Sequence, residues 1–405
     1  MPELLTPELL TKELPGIGGV IRQEPEDFFV EEIPLYQPCG SGEHLYLSVE
    51  KRGLTTYDLL RELAQALGCK EREIGYAGLK DAKAVTRQTV SIPQRQPSDV
   101  AKLDIAGVRI LSAALHSNKL RPGHLAGNYF RIRIRKPLPE ALTRTEAILK
   151  QLSQQGVANR FGEQRYGVLG NSSRIGQAIL KVEFETAVKE IIGDPQKIAH
   201  PGWKAAAQAY RRGELAEAVE KLPRHCRPER QLLTQLQAGN SHSKSVLAMP
   251  RKLLRLYLSA YQSSLFDRLV DLRIDSIGTI QTGDLAYKHA NSASFLVTDA
   301  AVEQVRADTF EISPTGPLFG RKVKLAEGES GQLEQQLLQQ EGLTLEAFRL
   351  SGGLSMDGER RPLRVPLAGA ACQQEGSDLM VCFSLPKGSF ATTVLDEIMK
   401  TATAT

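Results

Sequence analysis

The spacing of apolar residues predicts both helices and strands along this chain. In TTYDLLRELAQALG, three leucines recur at helical spacing before a glycine, which predicts a helix that ends at Gly68. In NYFRIRIRK, residues 128–136, apolar and basic side chains alternate, so we expect a strand with one apolar face and one basic face. No period of about 20 to 50 residues indicates a repeat protein.

A short loop with a single acid joins two of the predicted strands. IGYAGL and AVTRQTVSI have the short apolar runs of strands, and GLKDAKA between them places Asp81 between Lys80 and Lys83. Strands at both ends would hold the loop rigidly, which suits a reactive side chain. Composition by itself favours the other interpretation, in which Asp81 is a solvated surface charge among lysines.

Composition changes twice along the 405 residues, a length sufficient for two domains. A helix predicted over 142–155 ends at Gly156 and is followed by ANRFGEQRYG, whose many arginines and glycines indicate a boundary. From there to about residue 367 the chain is more helical and polar, with a long helix predicted after Pro250. The last segment returns to strand, turn and helix.

The net charge is only +4, but the basic residues are unevenly distributed. Residues 105–139 contain no acid and have seven basic residues: Arg109, Lys119, Arg121, Arg131, Arg133, Arg135 and Lys136. They predict an anionic partner, although a charged run is often only a solvated face. The arginines of the alternating strand either pair with phosphates or guard an edge strand against aggregation, whereas the two basic residues at 119 and 121 lie in a predicted loop and reach outward more easily.

Several kinds of site are unsupported by the sequence. The five cysteines form no C-x-x-C pair and the seven histidines have no metal-binding spacing, so we expect neither a disulfide framework nor a metal site. PGIGGV and SPTGPLFGRKV lack the spacing of dinucleotide-binding and Walker loops, so NAD or ATP is not expected as a cofactor. The N-terminus is not that of a signal peptide and no run of about 20 apolar residues occurs, so we expect a cytoplasmic protein.

One dense motif and several shorter ones resemble a single protein family. The dense motif, G-x-x-G-x-K-D-x-x-A-x-T-x-Q, starts at Gly75 and contains Lys80 and Asp81. Six further stretches agree with the same family and occur in its order along the chain: PEDFFVEE, GNYFRI, NRFGEQRYG, SPTGPLFGR, GERRPLR and KGSFATTVL. Together they resemble the TruD family of pseudouridine synthases over nearly the whole chain.

The resemblance implies a reaction and a fold. The family isomerises uridine 13 of tRNA: the C1′–N1 bond breaks, the uracil turns while still bound, and C5 joins C1′, without cofactor or metal. The fold implied is α/β (α+β), with a catalytic domain built on a mixed, largely antiparallel sheet and interrupted by an inserted α/β domain, the TRUD domain. The implied boundaries are 1–156 plus 368–405 for the catalytic domain and 157–367 for the insertion. tRNA is the implied partner, with no membrane and no obligatory protein partner.

The resemblance also implies roles for particular residues. The catalytic aspartate of the K-D motif corresponds to Asp81. Contacts with the substrate are implied for Phe28, Asn128, Phe130, Phe390 and Lys80. Contacts with the RNA backbone are expected from Lys83, Lys119, Arg121 and Arg165.

Alternatives remain open for these residues and for the function. Phe28 and Phe390 also suit a core, and Asn128 suits a strand start after glycine, although its amide offers the donor and acceptor that a uracil edge requires. The carboxylate of Asp81 either attacks C1′ or removes the C2′ proton. The alternative function is an RNA-binding or RNA-chaperone protein with the same fold, which would not need that carboxylate.

Overall fold

The computed structural model describes residues 7–401, which fold into two compact units. The first unit combines the chain up to Val157 with the chain from Val365 onward, and the second is Ala158–Arg364. Within residues 7–401, no helix is long and apolar enough to cross a membrane.

The first part of the chain is rich in strands. These are β1 (Phe28–Pro34), β2 (His44–Arg52), β3 (Gly75–Tyr76), β4 (Val85–Pro93), β5 (Val108–His116), β6 (Leu125–Ile134) and β7 (Val157–Ala158). The helices among them are α1 (Thr56–Leu67), α2 (Pro97–Val100) and α3 (Ala141–Gln155).

The second unit is mainly helical. Its helices are α4 (Ser172–Leu180), α5 (Phe184–Ile192), α6 (Pro201–Arg211), α7 (Leu215–Lys221), α8 (Arg227–Gln237), α9 (His242–Leu247), α10 (Arg251–Leu272), α11 (Ala300–Asp308) and α12 (Gly328–Gln340). Its strands are β8 (Leu285–Lys288), β9 (Ser294–Leu296), β10 (Ile312–Leu318) and β11 (Glu359–Pro362). The chain then continues through β12 (Arg364–Val365), β13 (Ala368–Glu375), β14 (Asp378–Pro386) and α13 (Ala391–Met399).

The helices predicted from apolar spacing are present, and their ends have local causes. α1 begins after Thr55, whose Oγ1 accepts a hydrogen bond from the Asp58 amide at 3.1 Å. The Asp58 carboxylate accepts one from the Thr55 amide at 3.1 Å in return, which completes a capping box. The helix ends at Gly68, whose φ of 63° is left-handed and suits a residue without Cβ. α3 ends before Gly156 and α10 begins after Pro250, as predicted.

The first unit is built on one large sheet. Its strands run in the order β13, β14, β6, β1, β4, β2, β5, and β3 pairs with β4. β1 and β4 are parallel, and the other neighbouring strands are antiparallel. The predicted α/β fold with a mixed, largely antiparallel sheet is therefore confirmed.

Two apolar clusters pack helices against this sheet. In one, side chains of β1, β6 and β14 pack with α3 and α13, and Ile132, Phe383 and Ile398 are fully buried there. In the other, side chains of β2 and β4 pack with α1, and Leu47 and Leu63 are fully buried. Burial of such side chains stabilises the unit by about 1.5–3 kcal/mol each before entropy is counted.

Arg131 and Arg133 of β6, and Arg135 directly after it, alternate with these buried side chains. Arg133 pairs with Glu375 at 2.8 Å, and Arg135 pairs with Asp27 at 2.8 Å. β6 lies between β14 and β1, so the interpretation of β6 as a charged edge strand is wrong. Arg133 and Arg135 form ion pairs with acids from other segments, and sequence spacing alone could not identify those acids because they are distant along the chain.

The second unit packs around the long helix α10. Tyr257, Tyr261 and Leu265, which have helical spacing in the sequence, are buried in it. A separate sheet in this unit has the order β11, β10, β8, β9. The stretch near 275–344, which has no specific motif, supplies β8, β9, β10, α11 and α12 to it.

Replacing Phe383 with alanine tests the core of the first unit. Phe383 is 0% exposed and its ring lies 5.4 Å from that of Phe130, so Phe383→Ala should cost about 3–5 kcal/mol through lost burial and a residual cavity. Leu35→Ala is the control, because Leu35 is 55% exposed. Thermal unfolding measures both; equal melting temperatures for the two variants would show that the core is assigned to the wrong face.

Candidate active site

The loop between β3 and β4, residues 78–84 and hereafter the Asp81 loop, presents its aspartate at the surface. Asp81 is exposed, and its Oδ1 accepts a hydrogen bond from the Lys83 amide at 3.1 Å. Lys83 is exposed as well, whereas Lys80 on the other side is buried. Lys80 and Asp81 are adjacent in the loop but point in opposite directions, and of the two only Asp81 faces solvent.

Lys80 is held inside the protein by a buried ion pair. Its Nζ lies 3.1 Å from Glu32 Oε2, with 6% and 2% of the two side chains exposed. The other oxygen of Glu32 accepts a hydrogen bond from the Thr89 amide at 3.3 Å. Burial raises the pKa of Glu32, and the Lys80 ammonium opposes that shift. The ammonium thus faces Glu32, and the predicted contact between Lys80 and substrate stays a prediction.

Gly78 leaves the space that this ion pair occupies. A Cβ at position 78 would lie 3.0 Å from Lys80 Nζ and 3.7 Å from Glu32 Oε2. A side chain at this position would crowd Lys80. Close packing therefore explains why the second position of glycine in the dense motif has no side chain.

Thr56, at the start of α1, holds the backbone of the same loop. Its Oγ1 accepts a hydrogen bond from the Lys80 amide at 2.8 Å and donates one to Gln88 Oε1 at 3.0 Å. Thr56 and Gln88 are 1% and 2% exposed, so the loop is anchored to β4 through groups removed from water.

Lys51, near the end of β2, provides a third anchor. Its Nζ donates hydrogen bonds to the carbonyl oxygens of Leu54, Lys80 and Asp81, at 2.5, 3.4 and 3.0 Å. Burial lowers the pKa of Lys51 to about 8. A lysine in the charged sequence SVEKRG has no local feature that indicates burial, so sequence reasoning missed it.

Unpartnered polar atoms flank the strand that carries Glu32. Asn128 lies opposite Glu32 on β6, and its Oδ1 is buried without a hydrogen-bond partner among the described residues. On β4, which borders the other side of β1, the same holds for Thr86 Oγ1 and Gln88 Nε2. Buried polar atoms normally have partners. The lack of a protein partner within the described residues makes these three side chains candidates for contact with a polar ligand.

The three phenylalanines for which the motifs imply substrate contacts differ in how deeply they are buried. Phe28 and Phe130 are 4% and 6% exposed, and their rings lie 6.4 Å apart in an edge-to-face arrangement. The Arg22 guanidinium lies over the Phe28 ring at 4.3 Å. Phe390 is half-buried at the start of α13. In this structure the first two rings pack as core side chains, while Phe390 retains an accessible surface.

The predicted RNA-contacting residues of the first unit lie in segments near the Asp81 loop in the fold. Lys119 and Arg121 belong to the loop between β5 and β6, and Lys119 Nζ donates a hydrogen bond to the Arg72 carbonyl at 2.8 Å. This loop is tied to the residue that directly follows β3, because the Gly123 amide donates to the Ala77 carbonyl at 2.8 Å. Arg121 is exposed.

Arg165 lies in the second unit and is engaged there. Its Nε donates to Ser263 Oγ at 2.9 Å and its Nη2 donates to the Ser259 carbonyl at 3.3 Å. Burial lowers its pKa. Next to it, the Tyr166 hydroxyl donates to Asp267 at 2.5 Å. The NRFGEQRYG motif thus builds internal structure of this unit, and a contact of Arg165 with RNA stays a prediction.

Comparison with known proteins identifies the family. The family model described as tRNA pseudouridine synthase D (TruD) matches residues 5–398. A Syntrophotalea carbinolica protein named tRNA pseudouridine synthase D is 58% identical over 392 residues, which cover 97% of this chain and 98% of that protein. A Thermus thermophilus protein of the same name is 40% identical over 396 residues, covering 96% and 91%.

A solved structure agrees with these relatives. The crystal structure of a Methanosarcina mazei protein assigned as tRNA pseudouridine synthase D matches with a TM-score of 0.84 at 28% identity, over 99% of this chain and 98% of that one. The fold is thus that of a pseudouridine synthase. The chain belongs to the TruD family, and the resemblance seen in its motifs is confirmed.

The buried ion pair generates a test of how the Asp81 loop is held. Glu32→Leu leaves the Lys80 ammonium buried without its counter-ion and should destabilise the first unit by about 3–5 kcal/mol. The double variant Glu32→Leu/Lys80→Met replaces both charges with apolar groups and should recover most of that loss. Urea denaturation of the single and double variants measures the coupling; purely additive effects would contradict it.

Proposed function

We propose that this protein is a tRNA pseudouridine synthase that isomerises uridine 13, with Asp81 as the catalytic carboxylate. The observation that carries the proposal is the Asp81 loop itself: an exposed carboxylate stands on a backbone anchored by Lys51, Thr56 and the buried Lys80–Glu32 pair. Membership of the TruD family supports the reaction class. A protein that only binds RNA would have no use for a carboxylate held in this way.

The reaction requires that the target base leave its stack. Extrusion costs a few kcal/mol, and stacking on an aromatic ring returns about 1–3 kcal/mol per base. Phe390 is the proposed stacking surface, because it is the half-buried one of the three phenylalanines. Phe28 and Phe130 form the wall behind it in our proposal, and their low exposure fits a wall better than a stacking face.

Asp81 breaks the C1′–N1 bond by one of two balanced routes. In the first, a carboxylate oxygen attacks C1′ and uracil leaves through N1; the rotated uracil then attacks C1′ through C5 and displaces the carboxylate. In the second, the carboxylate removes the C2′ proton as uracil leaves, and the proton returns to C2′ when C5 has bonded to C1′. In both routes the hydrogen on C5 is finally lost to solvent, so its release reports the reaction.

Asn128 is the proposed group that reads the uracil edge. Its Oδ1 lacks a partner among the described residues and can accept the N3–H of uracil, while its amide can donate to a carbonyl of the base. Binding of uracil would satisfy an atom that is otherwise buried without a hydrogen bond. That difference favours uracil over a base with no donor at the matching position.

The two parts of the chain have different proposed roles. Residues 1–156 with 368–405 form the catalytic domain, and 157–367 form the TRUD domain; residues 1–6 and 402–405 lie outside the described part. Lys83, Lys119 and Arg121 are proposed to contact the tRNA backbone, since a lysine ammonium has three donors and Lys119 uses one of them internally. The hydrogen bonds of Arg165 inside the second unit give that residue less support.

Asp81→Asn tests the assignment of the reagent. The variant keeps the shape of the side chain and removes its negative charge. Pseudouridine formation should therefore be lost, while tRNA binding stays close to that of the wild-type protein. Tritium release from a tRNA transcript with 5-tritiated uridine measures the reaction, and filter binding measures affinity. Asp104→Asn, the same change at an exposed position, is the control.

The outcomes separate the two functions. Tritium release by Asp81→Asn would remove Asp81 from the chemistry. Binding of tRNA without any tritium release by the unmodified protein would instead favour an RNA-binding protein. Mapping the position of pseudouridine in the product decides whether position 13 is the one converted.

Asn128→Ala tests recognition of the base. Loss of one hydrogen bond to a buried partner costs about 1–3 kcal/mol, so kcat/KM should fall roughly 10- to 100-fold. Asn291→Ala, in an exposed turn of the second unit, should leave kcat/KM unchanged. A melting temperature that falls in proportion to activity would return Asn128 to a purely structural role.

A further inference from the structure

Lys51 is a charged side chain placed almost entirely inside the first unit. It is 1% exposed, and it is among the largest fully buried side chains of the described residues. An ammonium has three N–H donors, and all three are used, by the carbonyl oxygens of Leu54, Lys80 and Asp81. Two of these carbonyls belong to the Asp81 loop. Lys51, on β2, therefore binds the backbone of the loop that precedes β4.

Three charged groups act on the buried Lys51 ammonium. Asp81 in the Asp81 loop and Asp58 in the first turn of α1 favour its charged form, and Lys80 disfavours it. Neutral carbonyl oxygens orient the ammonium, and of the two acids that favour its charged form Asp81 has the larger effect.

We propose that Lys51 is a positioning residue for Asp81: its ammonium fixes the backbone of Lys80 and Asp81 and supplies the positive charge that the Asp81 carboxylate needs. This inference rests on the proposed function and extends it. Lys51 itself does not touch the substrate in this proposal. It acts through the loop, so loss of its charge reduces turnover and leaves affinity for tRNA unchanged.

Because the pKa of Lys51 is about 8, the proposed role should appear as a change of turnover with pH. Below that pH the ammonium is charged and the loop is fully held; above it the proton is lost, one donor disappears and the charge beside Asp81 is removed. A group with this pKa is about 90% charged at pH 7 and about 10% charged at pH 9. Turnover should therefore fall roughly tenfold between these pH values.

The experiment is single-turnover tritium release from a tRNA transcript by the full chain between pH 7 and 9. Lys51→Met should be about 100-fold slower at pH 7 and should show no Lys51-dependent fall toward pH 9. Lys51→Gln keeps two donors without the charge and should give the same flat profile at an intermediate rate. Dissociation constants for tRNA should stay within about twofold. Titration of the RNA itself is common to all variants and cancels in their ratios.

Lys400→Met is the matched control. Lys400 follows α13, and its Nζ also donates to backbone carbonyl oxygens, those of Thr11 and Leu14, away from the Asp81 loop. Burial lowers its pKa too. This variant should keep the rate and the pH profile of the wild-type protein. It therefore separates the position of Lys51 from the general effect of removing a lysine that donates to backbone carbonyl oxygens.

Two results would overturn the inference: a Lys51→Met protein with an unaltered rate, or one that declines between pH 7 and 9 as the unmodified protein does. Hydrogen–deuterium exchange of the unmodified protein gives a test that needs neither catalysis nor a variant. After correction for intrinsic exchange, peptides containing 78–84 should lose protection between pH 7 and 9 relative to peptides of α3, and unchanged protection would count against the proposal. Failure of the proposed function, by contrast, is an unmodified protein that releases no tritium at any pH.

Discussion

The placement of the Asp81 carboxylate depends on charges that are themselves buried. Moving an ion out of water costs several kcal/mol, so the Lys80–Glu32 pair persists only while both partners meet closely. Their separation of 3.1 Å ties the Asp81 loop to β1. Any displacement of the loop would expose or unpair these charges. An exposed carboxylate thus acquires a fixed position from neighbours that solvent does not reach.

The sheet order makes this anchoring geometrically simple. β1 lies between β4 and β6, so Glu32 has Asn128 opposite it on one side and the strand that follows the Asp81 loop on the other. The parallel pairing of β1 with β4 brings Val30 opposite Thr86. Polar atoms that a sheet core would normally exclude are thereby gathered on three adjacent strands. Burying these polar atoms together reduces the free energy of unfolding unless a ligand or a partner forms hydrogen bonds with them.

A feature of the fold or of the site can be predicted from the sequence when it depends only on residues that are close together along the chain. The ends of α1 follow from Thr55 and Gly68, because capping and left-handed geometry involve only neighbouring residues. The loop around Asp81 follows from a contiguous motif. The alternation in NYFRIRIRK predicts one basic face of a strand, but it does not predict that the strand lies inside the sheet or which acids pair with Arg133 and Arg135. Lys80 was expected at the substrate, and in the structure its ammonium is directed at Glu32.

Periodicity and contiguous motifs are enough to predict the family, the class of fold, the main helices and the aspartate of the K-D motif. Which charges are buried follows only from the tertiary structure. Glu32 and Lys80 are separated by 48 residues, and Lys51 and Asp81 by 30, so only strand pairing brings each pair together. A lysine in SVEKRG and a lysine in GLKDAK look equally exposed in a sequence. Burial is a property of what packs around a side chain, and that packing exists only after the distant strands have met.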